Sequence, residues 1–350
     1  MISRECFTKS WLDKVKSTYP IVDPTIIEKS IYALELLSLL KLEGIDFIFK
    51  GGTALLLLLS EPKRLSIDVD VSLNILKENL EEKLNSIIKK GTFNNWIEDP
   101  RKESKIPKKH YKIFFDSKIN PNIKSYILLD VLFQEDPYPK LTEKIIQTDF
   151  VILESEISVK LPTINSLLGD KLTALAPNTT GIPFGIGKEM QINKQLFDIG
   201  ELFEFADDVN EIKKSFERFI KIQSDYKNKN FSYQDVIKDL YEICFLICQI
   251  NVKGSVKSEV SDLFISGIKA MRSHLMRGTY NLENAKIYSS RTAFLVSFFG
   301  KNKDFEQLKK FNISKITNLK LSGSLMILER LRNILPESYY YWQIIQKELE

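Results

Sequence analysis

The stretch Lys50-Gly51-Gly52-Thr53-Ala54-Leu55, followed by Arg64-Leu65-Ser66-Ile67-Asp68-Val69-Asp70, sets the frame for the whole chain. A Gly-Gly turn opens an apolar helical segment over residues 53–60, and a short strand over residues 66–73 then carries two carboxylates one residue apart. Side chains at i and i+2 of a strand point to the same face. Asp68 and Asp70 are therefore expected to converge, with Val69 turned into the core. Arg64 and Ser66 fall on the side of the two aspartates by the same alternation, with Arg64 placed to hold the loop or a carboxylate. Glycine lets the backbone approach a phosphate closely, and the N–H groups at the start of a following helix favour anions. Two hard oxygen ligands beside such a turn suit a Mg²⁺ ion carrying a nucleoside triphosphate. The plain alternative is a strand-to-helix turn beside a solvated edge strand. It accounts for Gly-Gly alone, but less well for Gly-Gly followed by Asp-x-Asp on the next strand.

Upstream of this stretch, residues 24–42 predict a helix: Pro24 suits a first helical turn, Ile27, Ile31, Leu34 and Leu37 recur at helical spacing, and Gly44 ends it. Residues 46–50 form a short strand leading into the Gly-Gly turn. Downstream, residues 75–89 predict an amphipathic helix. Residues 93–97, 110–115 and 126–133 are rich in aromatic and β-branched side chains and predict strands. Residues 150–153 and 157–161 are expected as a late strand pair. From residue 163 the pattern is helical almost throughout, with helices expected over 163–176, 195–206, 209–227, 233–250, 259–271, 282–299, 323–335 and 338–350. The Pro-, Gly-, Thr- and Asn-rich segment 177–187 is a loop. The fold expected is α+β: an N-terminal domain with a mixed β-sheet and flanking helices over residues 1–206, then a C-terminal helical bundle over 207–350.

The chain has 350 residues and is 43% hydrophobic, enough for a sizeable core and for two domains. Lys and Arg number 50 against 46 Asp and Glu, so the net charge of +4 permits nucleic-acid binding through a local patch without arguing for it. Cys6, Cys244 and Cys248 are sparse and odd in number, which fits a reducing cytoplasm better than a disulfide framework. Cys244 and Cys248 stand four apart on an expected helix and are read as buried apolar residues rather than half a metal site. No apolar signal core follows the N-terminal residues, and the longest apolar runs are too short to span a bilayer, so a soluble cytoplasmic protein with no membrane partner is expected.

The Lys-Gly-Gly-Thr-Ala-Leu and Arg-x-Ser-x-Asp-x-Asp elements resemble those of the nucleotidyltransferase superfamily, and within it the AbiEii/AbiGii-type abortive-infection toxins. Two further blocks match in order: Leu168-Gly169-Asp170-Lys171-Leu172-Thr173-Ala174-Leu175 and Lys194-Gln195-Leu196-Phe197-Asp198-Ile199-Gly200-Glu201-Leu202. The resemblance implies a nucleotidyltransferase-fold domain in which Lys50, Gly51, Gly52, Thr53, Arg64 and Ser66 surround an NTP. It implies Mg²⁺, or Mn²⁺, on Asp68 and Asp70. It also implies a third carboxylate from a neighbouring strand, as metal ligand and to activate the attacking hydroxyl. Asp130 is the candidate, because a charge inside Ile127-Leu128-Leu129-Asp130-Val131-Leu132-Phe133 is costly unless paired or metal-bound; Asp116 is the weaker rival. Lys171 takes the family's phosphate-contacting lysine, and Asp198 the acidic residue that orients it. The family often has an Asp after the basic residue of the fourth block, where this chain has Gln195, which leaves the role of Lys194 open. The loop over 177–191 is expected as a lid.

The activity so implied is transfer of NMP from an NTP to an acceptor hydroxyl, with RNA, at the 3′ end of tRNA, as acceptor, by a toxin restrained by a cognate antitoxin. Three alternatives stay open: nucleotidylation of a protein hydroxyl, a metal-dependent nuclease, and a non-catalytic RNA- or protein-binding module on the same frame. Two basic clusters could track an RNA backbone or be solvated faces: Arg101, Lys102, Lys105, Lys108, Lys109 and His110 before a strand, and Lys269, Arg272, His274 and Arg277 at a helix end. His110 and His274 are read as structural or surface residues, and Tyr339-Tyr340-Tyr341-Trp342 as helix packing.

Overall fold

The computed structural model describes residues 1–100, 107–301 and 305–349. The chain divides into two compact units, Met1–Thr163 with Arg272–Gly278, and Ile164–Met271 with Thr279–Glu350.

The first unit is built on a mixed sheet. Among the described residues its strands are β1 (Ile48–Lys50), β2 (Val69–Leu73), β3 (Asn95–Glu98), β4 (Lys108–Phe115), β5 (Ser125–Phe133), β6 (Leu141–Ile145) and β7 (Ser158–Pro162), in the order β3-β4-β5-β2-β1-β7-β6. The β2–β5 and β1–β7 pairings are parallel and the others antiparallel. The central strands carry the core: Val69, Val71, Ile127, Leu129 and Val131 are buried. Preceding the sheet are α1 (Lys9–Thr18) and α2 (Pro24–Leu42); α3 (Leu55–Leu58) and α4 (Lys77–Lys89) lie between strands. Helix α2 has the bounds its sequence predicts. The Asp23 side chain accepts the Thr25 N–H, Pro24 occupies the first turn, and Gly44 at φ 76° closes the far end, its N–H donating to the Lys41 carbonyl. A helix apolar around most of its circumference must be covered on most sides. Residues Ile26, Ile27, Ile31, Leu34, Leu36, Leu37, Leu39 and Leu40 are accordingly all buried, and α2 packs on α1, α4, β2 and β5.

The second unit is helical: α5 (Ile164–Leu175), α6 (Glu189–Phe205), α7 (Val209–Tyr226), α8 (Tyr233–Gln249), α9 (Glu259–Met271), α10 (Leu282–Ser297), α11 (Phe305–Lys309), α12 (Leu331–Ile334) and α13 (Pro336–Leu349). Ser232 with Asp235 and Asn281 with Asn284 form reciprocal capping boxes at the starts of α8 and α10. Helices α5 and α7 cross so closely that a Cβ on Gly169 would lie 2.5 Å from the Ile212 carbonyl oxygen. Tyr339, Tyr340, Tyr341 and Trp342 are all buried on α13, as helix packing requires. Cys244 and Cys248 are buried with thiols pushed to higher pKa by that burial, and the Trp342 indole donates to Cys248 Sγ at 3.4 Å.

Several expectations are corrected. The compact units part at Thr163, not at residue 206. Helices α5 and α6 pack on α7, α9 and α10, so packing assigns them to the helical unit although they carry two of the four sequence blocks. The antiparallel partner of β7 is β6, whose Leu-Thr-Glu-Lys-Ile is largely exposed and shows no alternation of apolar residues; residues 150–153 contribute only an isolated bridge from Leu153 to Ile2. Helix α3 is a single turn, and residues 323–330 wind as a 3₁₀ helix before α12. The loop expected as a lid is fastened over its first half: the Asn178 and Thr179 side chains donate to the buried Asp239 carboxylate on α8, and Lys227 Nζ donates to the Thr179 and Gly181 carbonyls.

Candidate active site

At the Gly-Gly turn the missing side chains make room for groups of the protein itself. Gly51 sits at φ 77°, a conformation that an L side chain adopts only with strain. A Cβ on Gly51 would lie 2.2 Å from Asp70 Oδ2, and one on Gly52 would lie 2.7 Å from the Arg64 guanidinium and 3.2 Å from Ser66 Oγ. The bare backbone of the turn is thus the surface against which Asp70, Arg64 and Ser66 pack. Arg64 and Ser66 are buried, and Arg64 donates to the Leu65 carbonyl at 3.2 Å. Thr53 is buried with its hydroxyl donating to the Asp68 carbonyl at 2.5 Å. Its side chain therefore ties the turn to the entry of β2.

Asp68 lies just ahead of β2 and Asp70 within it; both are half-buried, and Val69 between them is fully buried. This is the alternation that turns two carboxylates to one face. Register extends that face across four strands. Lys50 on β1 pairs with Asp70 on β2, Asp70 with Asp130 on β5, and Asp130 with His110 on β4. Directly paired residues share a face and neighbouring strands lie about 4.8 Å apart, so Lys50, Asp70, Asp130 and His110 form one row. Asp116, the weaker rival, follows the far end of β4, where Phe115 pairs with Ser125, and accepts from the Asn94 amide at 2.6 Å. It is outside the row.

Asp130, 9% exposed, is held from both sides. Lys108 Nζ donates to Oδ2 at 2.7 Å, and His110 Nδ1 lies 2.5 Å from Oδ1. Burial pushes the Asp130 carboxyl up, but the Lys108 ammonium and the His110 ring together outweigh it and hold the group below the ordinary carboxylate value. An ionised carboxylate only accepts, so Nδ1 of His110 carries the proton. Sequence reasoning missed these partners: Lys108 and Lys109, expected ahead of a strand starting at His110, lie with it on β4. Lys109 bonds Glu98 at 2.8 Å. Arg101, Lys102 and Lys105 of the same cluster lie outside the described residues. In the second basic cluster His274 is buried, and Arg277 bonds Asp149 and donates to the Tyr19 hydroxyl at 2.9 Å.

The donor set fits a divalent cation in part. Mg²⁺ is commonly held by one or two carboxylates plus substrate phosphate oxygens, which Asp68 and Asp70 satisfy beside a turn with no Cβ to obstruct it. Asp130, one strand away on the same face, has one side-chain nitrogen on each oxygen and keeps a lone pair on each. Among the described residues no group of three or more His, Cys, Asp or Glu side chains is arranged to hold a metal.

The third and fourth blocks meet within the helical unit. Lys171 on α5 bonds Asp198 on α6 at 2.7 Å and donates to Gln195 Oε1 at 3.2 Å; Lys171 is 6% exposed and Asp198 fully buried. Gln195, standing where the resemblance has an acid, serves as a neutral acceptor for the same ammonium. Lys194 is half-buried on α6. An open groove of about 980 Å³ beside α8, lined by Phe245, Leu246, Val256 and Ile265 among others, contains none of the candidate residues. Among the described residues no helix is long and apolar enough to cross a membrane.

Over 95% of its length the chain superposes on 98% of MenT4, a nucleotidyltransferase toxin of Mycobacterium tuberculosis H37Rv, with a TM-score of 0.51 at 10% identity. Over 85% of its length it matches 93% of JHP933 from Helicobacter pylori, with a TM-score of 0.42 at 16% identity. No curated protein is detectably similar in sequence. The profile of the family described as nucleotidyl transferase AbiEii toxin, type IV toxin–antitoxin system, matches residues 36–276. The chain therefore belongs to the AbiEii toxin family and is a nucleotidyltransferase.

Proposed function

We propose that this protein transfers a nucleoside monophosphate from an NTP to the 3′-terminal hydroxyl of an RNA, with tRNA as the acceptor, in a Mg²⁺-dependent reaction in the cytoplasm, and that it acts as a phage-defence toxin restrained by a cognate antitoxin. The observation that carries the reading is the packing of the Asp70 carboxylate against Gly51, with Asp68 two residues earlier and tied to the same turn through the Thr53 hydroxyl.

Asp68 and Asp70 would hold the divalent cation, with Mn²⁺ able to replace Mg²⁺. When bound, the cation supplies positive charge against the triphosphate. The turn at Gly51, Gly52 and Thr53 brings backbone N–H groups to the phosphates, and Lys50 adds a cation in the same row. Arg64 and Ser66 brace the turn from behind. Asp130, ionised and fixed, orients the acceptor hydroxyl. The hydroxyl oxygen bonds to the α-phosphorus, the bond to the β-phosphate oxygen breaks, pyrophosphate leaves with that electron pair, and the hydroxyl proton passes to solvent. The resemblance assigns Lys171 the phosphate contact and Asp198 its orientation; the ion pair between them supports the second part.

The test is incorporation of each α-labelled NTP into total tRNA and total protein, with Mg²⁺, by the wild type, Asp68→Asn and Asp70→Asn. Label in tRNA that both substitutions abolish is expected. Label in protein would move the acceptor to a Ser, Thr or Tyr hydroxyl. RNA shortening without incorporation would make the protein a nuclease, and near-normal turnover by both variants would refute the two-carboxylate mechanism.

A further inference from the structure

We propose that the sheet face beside the acidic row is the docking platform for the single-stranded 3′ end of the acceptor RNA, with Tyr126 and Phe114 as stacking surfaces for its bases and Lys29 and Lys124 as contacts for its phosphates. The inference rests on the RNA-acceptor reading of the same site, and deepens it.

Register sets three rows on one face of the sheet. The first is the acidic row, where His110 pairs with Asp130 and Asp130 with Asp70. Two residues along, Ile97 pairs with Lys112 and Lys112 with Leu128; two further, Asn95 pairs with Phe114 and Phe114 with Tyr126. Rows so related share a face and lie about 7 Å apart. The opposite face is core: Tyr111, Ile113, Phe115, Ile127 and Leu129 are buried. An antiparallel sheet with one covered face commonly turns polar side chains to the other. Here the other face carries Ile97, 44% exposed, with Phe114, Tyr126 and Leu128 half-buried. It continues into a groove of about 410 Å³ lined by Ile97, Phe114, Ile123 and Lys124 among others. Apolar side chains gathered on an uncovered face mark a binding surface.

The chemistry of that face selects its occupant. Phe114 and Tyr126 meet edge to face with centroids 5.8 Å apart. Two ammonium groups stand over the Tyr126 ring, Lys29 Nζ at 5.2 Å and Lys112 Nζ at 5.3 Å from its centroid. Lys112 also donates to Asp99 at 2.7 Å, whereas Lys124 is exposed at the rim of the groove. Aromatic rings interleaved with cations bind single-stranded nucleic acid: bases stack on the rings whatever their sequence, and the ammonium groups neutralise the backbone. RNA-binding sheets hold two or three bases on an open face in this way. Because the platform is continuous with the acidic row, a strand stacked on Phe114 and Tyr126 directs its terminal hydroxyl toward Asp130.

The experiment is an anisotropy titration of the full-length protein with a labelled oligoadenylate of about ten nucleotides, without NTP or divalent cation. Binding of a non-hydrolysable NTP analogue with Mg²⁺ is measured beside it. The wild type is compared with Tyr126→Ala, Phe114→Ala, Tyr126→Phe and Lys29→Met, each first checked for a cooperative melt. Both alanine variants are expected to weaken RNA binding about 5- to 150-fold, and Tyr126→Phe, which keeps the ring face, to stay within about twofold. Lys29→Met leaves the apolar side chains of the sheet in place; it should weaken RNA binding and lower the slope of log affinity against log salt by about 0.7. Binding of the NTP analogue should stay within about twofold throughout. No binding of the oligoadenylate by the wild type, or RNA affinity unchanged in both alanine variants, would overturn the proposal. An unchanged salt slope in Lys29→Met would overturn it independently. Loss of NTP binding with RNA binding kept would give the face to the nucleotide's own base. Unchanged RNA binding by the variants while label still enters tRNA would remove the platform alone; label entering protein instead would remove the RNA-acceptor reading, and the platform with it.

Discussion

Replacing Gly51 by alanine isolates the close approach on which the candidate site depends. Two effects are expected, and they can be separated. The first is conformational: at φ 77° an alanine costs about 1–2 kcal/mol relative to glycine. The second is steric. The new Cβ would lie 2.2 Å from Asp70 Oδ2 and 2.8 Å from its Cγ, whereas ordinary contact begins near 3.4 Å. The carboxylate must therefore withdraw by about 1 Å, and a misplacement of that size at a reacting centre costs on the order of 100-fold in rate. Gly44 supplies the control. It has nearly the same backbone conformation, φ 76°, but nothing within 4 Å of the position its Cβ would take. Gly44→Ala and Gly51→Ala should thus share the first effect, a lowering of the melting temperature by about 2–8 °C. Only Gly51→Ala should lose turnover, by about 100-fold. The assay is single-turnover incorporation of label from an α-labelled NTP, with melting followed in parallel. Turnover of Gly51→Ala within about threefold of Gly44→Ala would refute the reasoning, since it would mean that the position of Asp70 against the turn does not matter to the chemistry.

Two further predictions concern buried charge. Lys171→Met leaves the Asp198 carboxylate, fully buried in the helical unit, without its ammonium. An uncompensated buried charge costs about 3–5 kcal/mol, so the variant should melt well below the wild type, and Lys171→Met/Asp198→Asn should recover a large part of the loss in a double-mutant cycle; simple additivity would refute the pairing. Glu35, buried on α2 and accepting the Ile2 N–H at 2.9 Å, has its pKa pushed up to about 7 by that burial. The folded chain therefore keeps a proton that the unfolded chain releases near pH 4.5. The associated stability is complete below that pH and is lost as pH rises through 7, by roughly 3 kcal/mol. Glu35→Gln cannot ionise, so its melting temperature relative to wild type should be higher at pH 8 than at pH 5; an equal difference at both pH values would refute the linkage.

The parts of the fold legible in the sequence are those whose causes are local. Helix α2 could be bounded at both ends because Asp23, Pro24 and Gly44 act on their own neighbours. Asp68 and Asp70 could be placed on one face because strand alternation needs no knowledge of the partner strand. The exposed edge strand β6 could not be read, because Leu-Thr-Glu-Lys-Ile carries no buried face to impose a period. The division at Thr163 was equally hidden. Helices α5 and α6 are distinguished from those after them by motif, not by composition, and only packing on α7, α9 and α10 assigns them to the helical unit.

Asp130 shows where local reading stops. Its place in an apolar strand made a partnered charge predictable, and energetics demanded a partner. The identity of that partner is a matter of register. Lys108 and His110 are two apart on β4 and so share a face, but which residue of β5 they meet depends on how the chain from 116 to 124 returns. A one-residue slip would turn the whole of β4 over and aim Lys109 at the site instead. The same three basic residues that composition offers as a phosphate-tracking cluster thereby become hydrogen-bond partners for two carboxylates, Lys108 and His110 for Asp130 and Lys109 for Glu98. The row Lys50–Asp70–Asp130–His110 depends on three separate strand pairings at once, two antiparallel and one parallel. The chemistry of this site is therefore as sensitive to the register of the sheet as to any single motif, and substitutions that let β4 slip should abolish activity without touching a candidate residue.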